Sequence, residues 1–99
     1  MASDHQPPRA ALRRSPPDRE AIAAEILALV AARGPGKSIC PSEAARALDP
    51  DDWRRLMGAV RAEAAALARS GRLTILRKGR PIDPDAMRGV VRLALPPPD

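Results

Sequence analysis

The chain has 99 residues, 12 of them proline, with one Trp, no Phe, no Tyr and a formal net charge of +5. That length allows one small domain whose core must come from Ile, Leu, Val, Met and Ala, with nothing left over to line a large substrate cavity. One cysteine, Cys40, excludes an internal disulfide or a multi-cysteine zinc site, and the one histidine, His5, sits among prolines. The foldable part thus has no histidine triad and no histidine metal site, so neither a cofactor nor enzymatic activity is expected.

Residues 1–17 read as a disordered basic arm, polar and proline-rich, carrying Arg9, Arg13 and Arg14. The arm lacks the apolar stretch of a secretory signal. No run of about 18 apolar residues would span a membrane, so a cytoplasmic protein is expected. The first helix opens at Asp18. Ile22, Ile26, Leu29 and Val30 recur at helical spacing, and Leu27 broadens the stripe. Asp18 and Glu20 suit the positive end of the helix dipole and Arg33 the negative end. Gly34-Pro35-Gly36 then stops the helix. Residues 37–40, too few for a helix and bounded by Pro41, read as a brief strand. Pro41 suits a first helical position, and a short second helix to Leu48 turns Ala44, Ala45 and Leu48 inward.

Asp49-Pro50 repeats the device of a cap followed by proline. A third helix is therefore expected over residues 50–69, with Trp53, Leu56, Met57, Val60, Ala64 and Leu67 on its inner face. Ser70-Gly71 ends it in the manner of a C-terminal glycine cap. The period then changes. Residues 73–76 form a β-branched run, and residues 90–95 alternate Val91, Leu93 and Leu95 against Val90, Arg92 and Ala94. Between them the turn formers and cations of residues 77–89 predict one long charged hairpin loop. This order is that of a winged helix-turn-helix: mainly α, three bundled helices, a small antiparallel β-sheet and a β-hairpin wing. The domain is expected over residues 18–95, with a disordered tail at 96–99.

Charge divides unevenly along this plan. Residues 18–71 balance acid against base, whereas residues 72–95 set Arg72, Arg77, Lys78, Arg80, Arg88 and Arg92 against Asp83 and Asp85 alone. Local positive potential of this kind attracts phosphate.

Several strings look familiar in that order: residues 38–48 (SICPSEAARAL), Trp53-Arg54-Arg55-Leu56-Met57 with Val60-Arg61, and residues 78–84 (KGRPIDP) with Arg92-Leu93. Together they resemble a small bacterial winged-helix family known as domain of unknown function 3253, over nearly all of residues 18–95. Gly89-Val90-Val91-Arg92 stands where the family pattern has Gly-Pro-Ile-Arg. The resemblance implies the fold and assigns no activity, so no functional residue is carried over from it.

The third helix occupies the position of a recognition helix. Arg54, Arg55 and Arg61 lie away from its apolar face, and Gly58 and Ala62 allow close approach to a groove. Asp51 and Asp52 in its first turn support a plainer reading, in which they cap the helix and pair with Arg54 or Arg55 on a solvated face. The wing is the stronger candidate. Arg77, Lys78 and Arg80 surround Gly79, and Pro81 and Pro84 stiffen the loop, as suits a wing lying on phosphate rather than a merely solvated tip. Cys40 reads as a small buried hydrophobe, Ser42 and Glu43 as helix-start residues, and Trp53 as a core anchor. Asp83 and Asp85 are too few for a cation site. Double-stranded DNA is the expected partner, in a transcriptional setting. The alternative is a protein-interaction module of the same fold, because a fold does not decide function. No dedicated dimerisation helix is evident.

Overall fold

The computed structural model describes residues 17–97. Among them, three α-helices, α1 (Arg19–Arg33), α2 (Pro41–Leu48) and α3 (Met57–Arg69), combine with four short strands, β1 (Ser38–Ile39), β2 (Thr74–Arg77), β3 (Arg80–Pro81) and β4 (Arg92–Ala94), in the order α1-β1-α2-α3-β2-β3-β4. Turns of 3₁₀ helix at Trp53–Leu56 and Pro84–Ala86 precede α3 and β4. The arrangement is the winged-helix plan that the sequence predicts. Apart from Pro17, Pro96 and Pro97, the expected arm and tail lie outside the described residues.

Local chemistry explains the helix limits. The Asp18 carboxylate accepts the Ala21 N–H at 2.8 Å, capping α1. Pro41 opens α2, and Glu43 reaches back to accept the Cys40 N–H at 2.8 Å. At the far end of α3, Gly71 adopts φ +81°, a left-handed turn open to glycine. It lets the Arg72 N–H donate to Leu67 O at 2.9 Å and the Gly71 N–H to Ala68 O at 3.0 Å, closing the last turn.

The core forms where α1 lies against α3 and the inner face of the sheet. Ile22, Ile26 and Val30 of α1 bury against a cluster that includes Val60, Ala64 and Leu67 of α3, Ala44 and Ala45 of α2, and the sheet residues Ile39, Ile75 and Leu93. No aromatic ring is fully buried there, so close approach through alanine keeps so thin a core dense. The sheet order is β1-β4-β2-β3, antiparallel throughout. Leu93 sits opposite Ile39 on one side and Ile75 on the other, which places one apolar row on the core face.

Four expectations are corrected. First, α3 does not begin at Pro50. Asp49 ends α2, and its carboxylate accepts the Asp52 N–H at 3.2 Å, which holds residues 49–52 in a turn until 3₁₀ structure starts at Trp53. Second, Trp53 is half-buried at the core's margin, and the fully buried side of this segment starts at Leu56. Third, Cys40 is half-exposed rather than buried: Ile39 takes the inward side of the chain, and the next residue faces the other way. Leu48 is likewise only half-buried.

Fourth, the wing is not one long loop. Lys78 (φ +52°) and Gly79 (φ +80°) form a two-residue turn between Arg77 and Arg80, with the positive dihedrals of a type I′ hairpin. After β3 the chain crosses back, and β4 inserts between β2 and β1. Val91 and Leu93 face the core as predicted, and Val90 is 85% exposed.

Candidate nucleic-acid interface

The turn leading into α3 is organised by Asp49. This buried carboxylate accepts from Arg55 Nη2 at 2.7 Å as well as from the Asp52 N–H. Arg55 also pairs with Asp52 through Nε at 3.2 Å. The Arg55 guanidinium holds the Asp49 carboxyl below its ordinary pKa, and the backbone donors of Asp52 and Asp51 add to the effect. Arg55 is thus committed to the turn. Arg54 faces solvent with its guanidinium carbon 4.6 Å from the centroid of the Trp53 ring, and Arg46 of α2 stands 4.4 Å from the same centroid.

Along the first turns of α3 the exposed residues are small and uncharged: Gly58, Ala59 and Ala62. Arg61 borders it, half-buried, and points Nη2 toward Met87 O at 3.5 Å. That contact belongs to a seam. The segment carrying the second 3₁₀ turn lies against α3, and Arg69 near the end of the helix binds Asp85 through Nη2 at 2.7 Å and Nε at 3.2 Å. The segment between β3 and β4 therefore runs beside α3 rather than projecting away from it.

Arg77 is turned inward to this loop. Its Nη2 donates to Ala86 O at 2.7 Å and to Arg88 O at 2.8 Å, pinning residues 86–88 to the end of β2. Lys78 and Arg80 at the hairpin turn, and Arg88 across the loop, are exposed and make no side-chain hydrogen bond or ion pair with any described residue. The two acids of the segment are occupied. Asp85 is held by Arg69, and Asp83 accepts the Asp85 N–H at 2.8 Å to cap its own 3₁₀ turn.

Of the six residues singled out from sequence, Lys78 and Arg80 stand together at the wing tip, and Arg54 is exposed at the head of α3. Arg61 lies on the helix–wing seam, whereas Arg55 and Arg77 hold protein groups. Two cations were missed. Arg88 was visible within the local charge excess. Arg46 carried no sequence signal, because only the packing of α2 on the turn brings it to Trp53.

A second network closes the opposite edge of the sheet. Arg33 donates to Ser38 O at 2.8 Å and to Glu43 at 2.6 Å, and Arg92 donates to Ser38 Oγ at 2.9 Å and Ser38 O at 3.0 Å. The Cys40 N–H, foremost, and then Arg33 hold the Glu43 carboxyl below its usual range. This is architecture: the two guanidinia satisfy an edge-strand carbonyl. Cys40 Sγ accepts from Ser42 Oγ at 3.1 Å. Among the described residues, no group of three His, Cys, Asp or Glu is placed to hold a metal ion, and no helix is long and apolar enough to cross a membrane.

Residues 19–96 match the model of a family described as protein of unknown function DUF3253. No curated protein matches the chain. That match extends from the first residue of α1 to beyond β4 and so takes in every element among the described residues, and the chain accordingly belongs to the DUF3253 family.

Proposed function

We propose that this protein binds double-stranded DNA and acts by binding rather than by catalysis, in a transcriptional setting. In this reading α3 is presented to the major groove through the small residues Gly58, Ala59 and Ala62, with Arg54 and Arg61 at its borders. The wing cations Lys78, Arg80 and Arg88 lie along phosphate. The observation that carries the reading is their lack of protein partners beside carboxylates that are already occupied. In the helical body Arg19, Arg33, Arg55 and Arg69 each hold a carboxylate, while Arg46 and Arg54 do not. Positive charge left unneutralised on the segment between β2 and β4 favours phosphate through counterion release.

Titration of a labelled mixed-sequence duplex at two salt concentrations tests this. Replacing Lys78, Arg80 and Arg88 together by Ala is expected to weaken binding to all sequences alike and to lower the salt slope by about 0.9 per lost phosphate contact. Arg77 is left in place because its donors hold the loop. A second reading, a protein-interaction module, draws on the exposed Val90 and the small exposed residues Gly58, Ala59 and Ala62 of α3. Absence of duplex binding by the wild type at about 50 mM salt would select it.

A further inference from the structure

We propose that Arg46 and Arg54, held over the Trp53 ring, form a clamp for a backbone phosphate of duplex DNA at the head of α3; the proposal rests on the DNA-binding reading above. The chain's single Trp ring is half-buried against the core, and the two guanidinium carbons stand 4.4 Å and 4.6 Å from its centroid. A guanidinium lying over a ring is ordered by its face and leaves its N–H edge free to donate. Neither Arg46 nor Arg54 spends that edge: both are exposed, and neither forms a hydrogen bond or ion pair with a described residue.

None of the three acids in that turn, Asp49, Asp51 and Asp52, pairs with Arg46 or Arg54. Asp49 and Asp52, in the turn between the two arginines, are both engaged by Arg55. Two like charges thus stand over one ring without a carboxylate paired to either. An oxyanion with several acceptor atoms satisfies both at once, and charge-assisted bonds to phosphate are the strong ones.

The two arginines also arrive from different elements. Arg46 belongs to the last turn of α2, and Arg54 to the 3₁₀ turn that leads into α3. In a helix-turn-helix the first of these helices crosses the DNA backbone while the second enters the groove. A phosphate held between them fixes the entry of α3 and carries no sequence information itself.

The experiment follows anisotropy of a labelled mixed-sequence duplex and emission of Trp53, the single Trp, at about 50 and about 200 mM salt. Wild type is expected to bind with a saturable change in Trp53 emission. The Arg46→Ala/Arg54→Ala variant, its folding checked by thermal melting, should lose about 0.9 from the salt slope, the share of one phosphate, so that its affinity falls about 3.5-fold less between the two salts. Should that variant fail to fold, the single changes Arg46→Gln and Arg54→Gln are each expected to show half the effect. A folded variant with the wild-type slope overturns the clamp and leaves DNA binding standing. So does an emission that stays constant in the saturated wild-type complex. No duplex binding by wild type overturns both readings.

Discussion

Trp53 shows how far a residue's place in a helical stripe can mislead. Its spacing fits the inner face of α3, yet the turn fixed by Asp49 leaves it at the margin, with arginines over its ring and aliphatic neighbours beneath. A fully buried Trp→Ala change costs about 3–5 kcal/mol. Half-burial removes part of the cavity term, so Trp53→Ala is expected to cost about 2 kcal/mol in urea denaturation. A loss of 4 kcal/mol or more would restore the core-anchor reading, taking the lower limit as about the middle of the buried range. The arginines divide in a similar way. Arg54 and Arg55 are adjacent in sequence and alike in composition, but one faces solvent and the other is bound by two carboxylates. Nothing in the string Trp53-Arg54-Arg55 separates them. The carboxylate that does so, Asp49, is placed by the end of α2.

Among the elements, the helices were the most legible. Asp18, Gly34, Pro41 and Gly71 each punctuate the chain where the sequence predicts, because caps and stops act over a few residues. The wing was read less well. Turn formers are spread over residues 77–89, and only the pairing of Arg77 with Arg80 shows that the first of them closes a hairpin while the rest form a separate crossing segment. Arg77 ties the two pieces together. Its replacement by Ala leaves the carbonyls of Ala86 and Arg88 without their charged donor, at a cost of about 1 kcal/mol for a half-exposed site. Hydrogen exchange should quicken across residues 84–90 while α1 keeps its protection. Unchanged exchange in that loop would show that Arg77 is not its fastener.

For the molecule as a whole, the two depressed carboxyls set the acid limit. Asp49 and Glu43 both titrate below their ordinary values when folded. Their contribution to stability is therefore fully present above the unfolded carboxyl range of about 4, and is lost as pH falls through that range and then through the lower folded values. Urea midpoints are expected to hold nearly level from about pH 7 to 5 and to fall below about pH 4. Asp49→Asn should lower the midpoint at neutral pH and flatten the acid limb, since an amide keeps acceptor capacity but not the charge that pairs with Arg55. An acid limb identical to wild type would place the sensitivity elsewhere.

The sequence by itself determined the three helices and their stops, the change to strands after Gly71, and the local excess of positive charge in residues 72–95. Each is written in spacing, in a cap or in a count, and acts over a few residues. Tertiary structure alone decided which cations face outward. Arg69 reaches the crossing segment to hold Asp85, Arg77 turns inward to carbonyls, Arg55 closes on Asp49, and Arg46 and Arg54 each stand over the Trp53 ring. An arginine side chain is long enough to choose among several partners, and which one it finds depends on where separate elements bring their carboxylates, carbonyls and rings together.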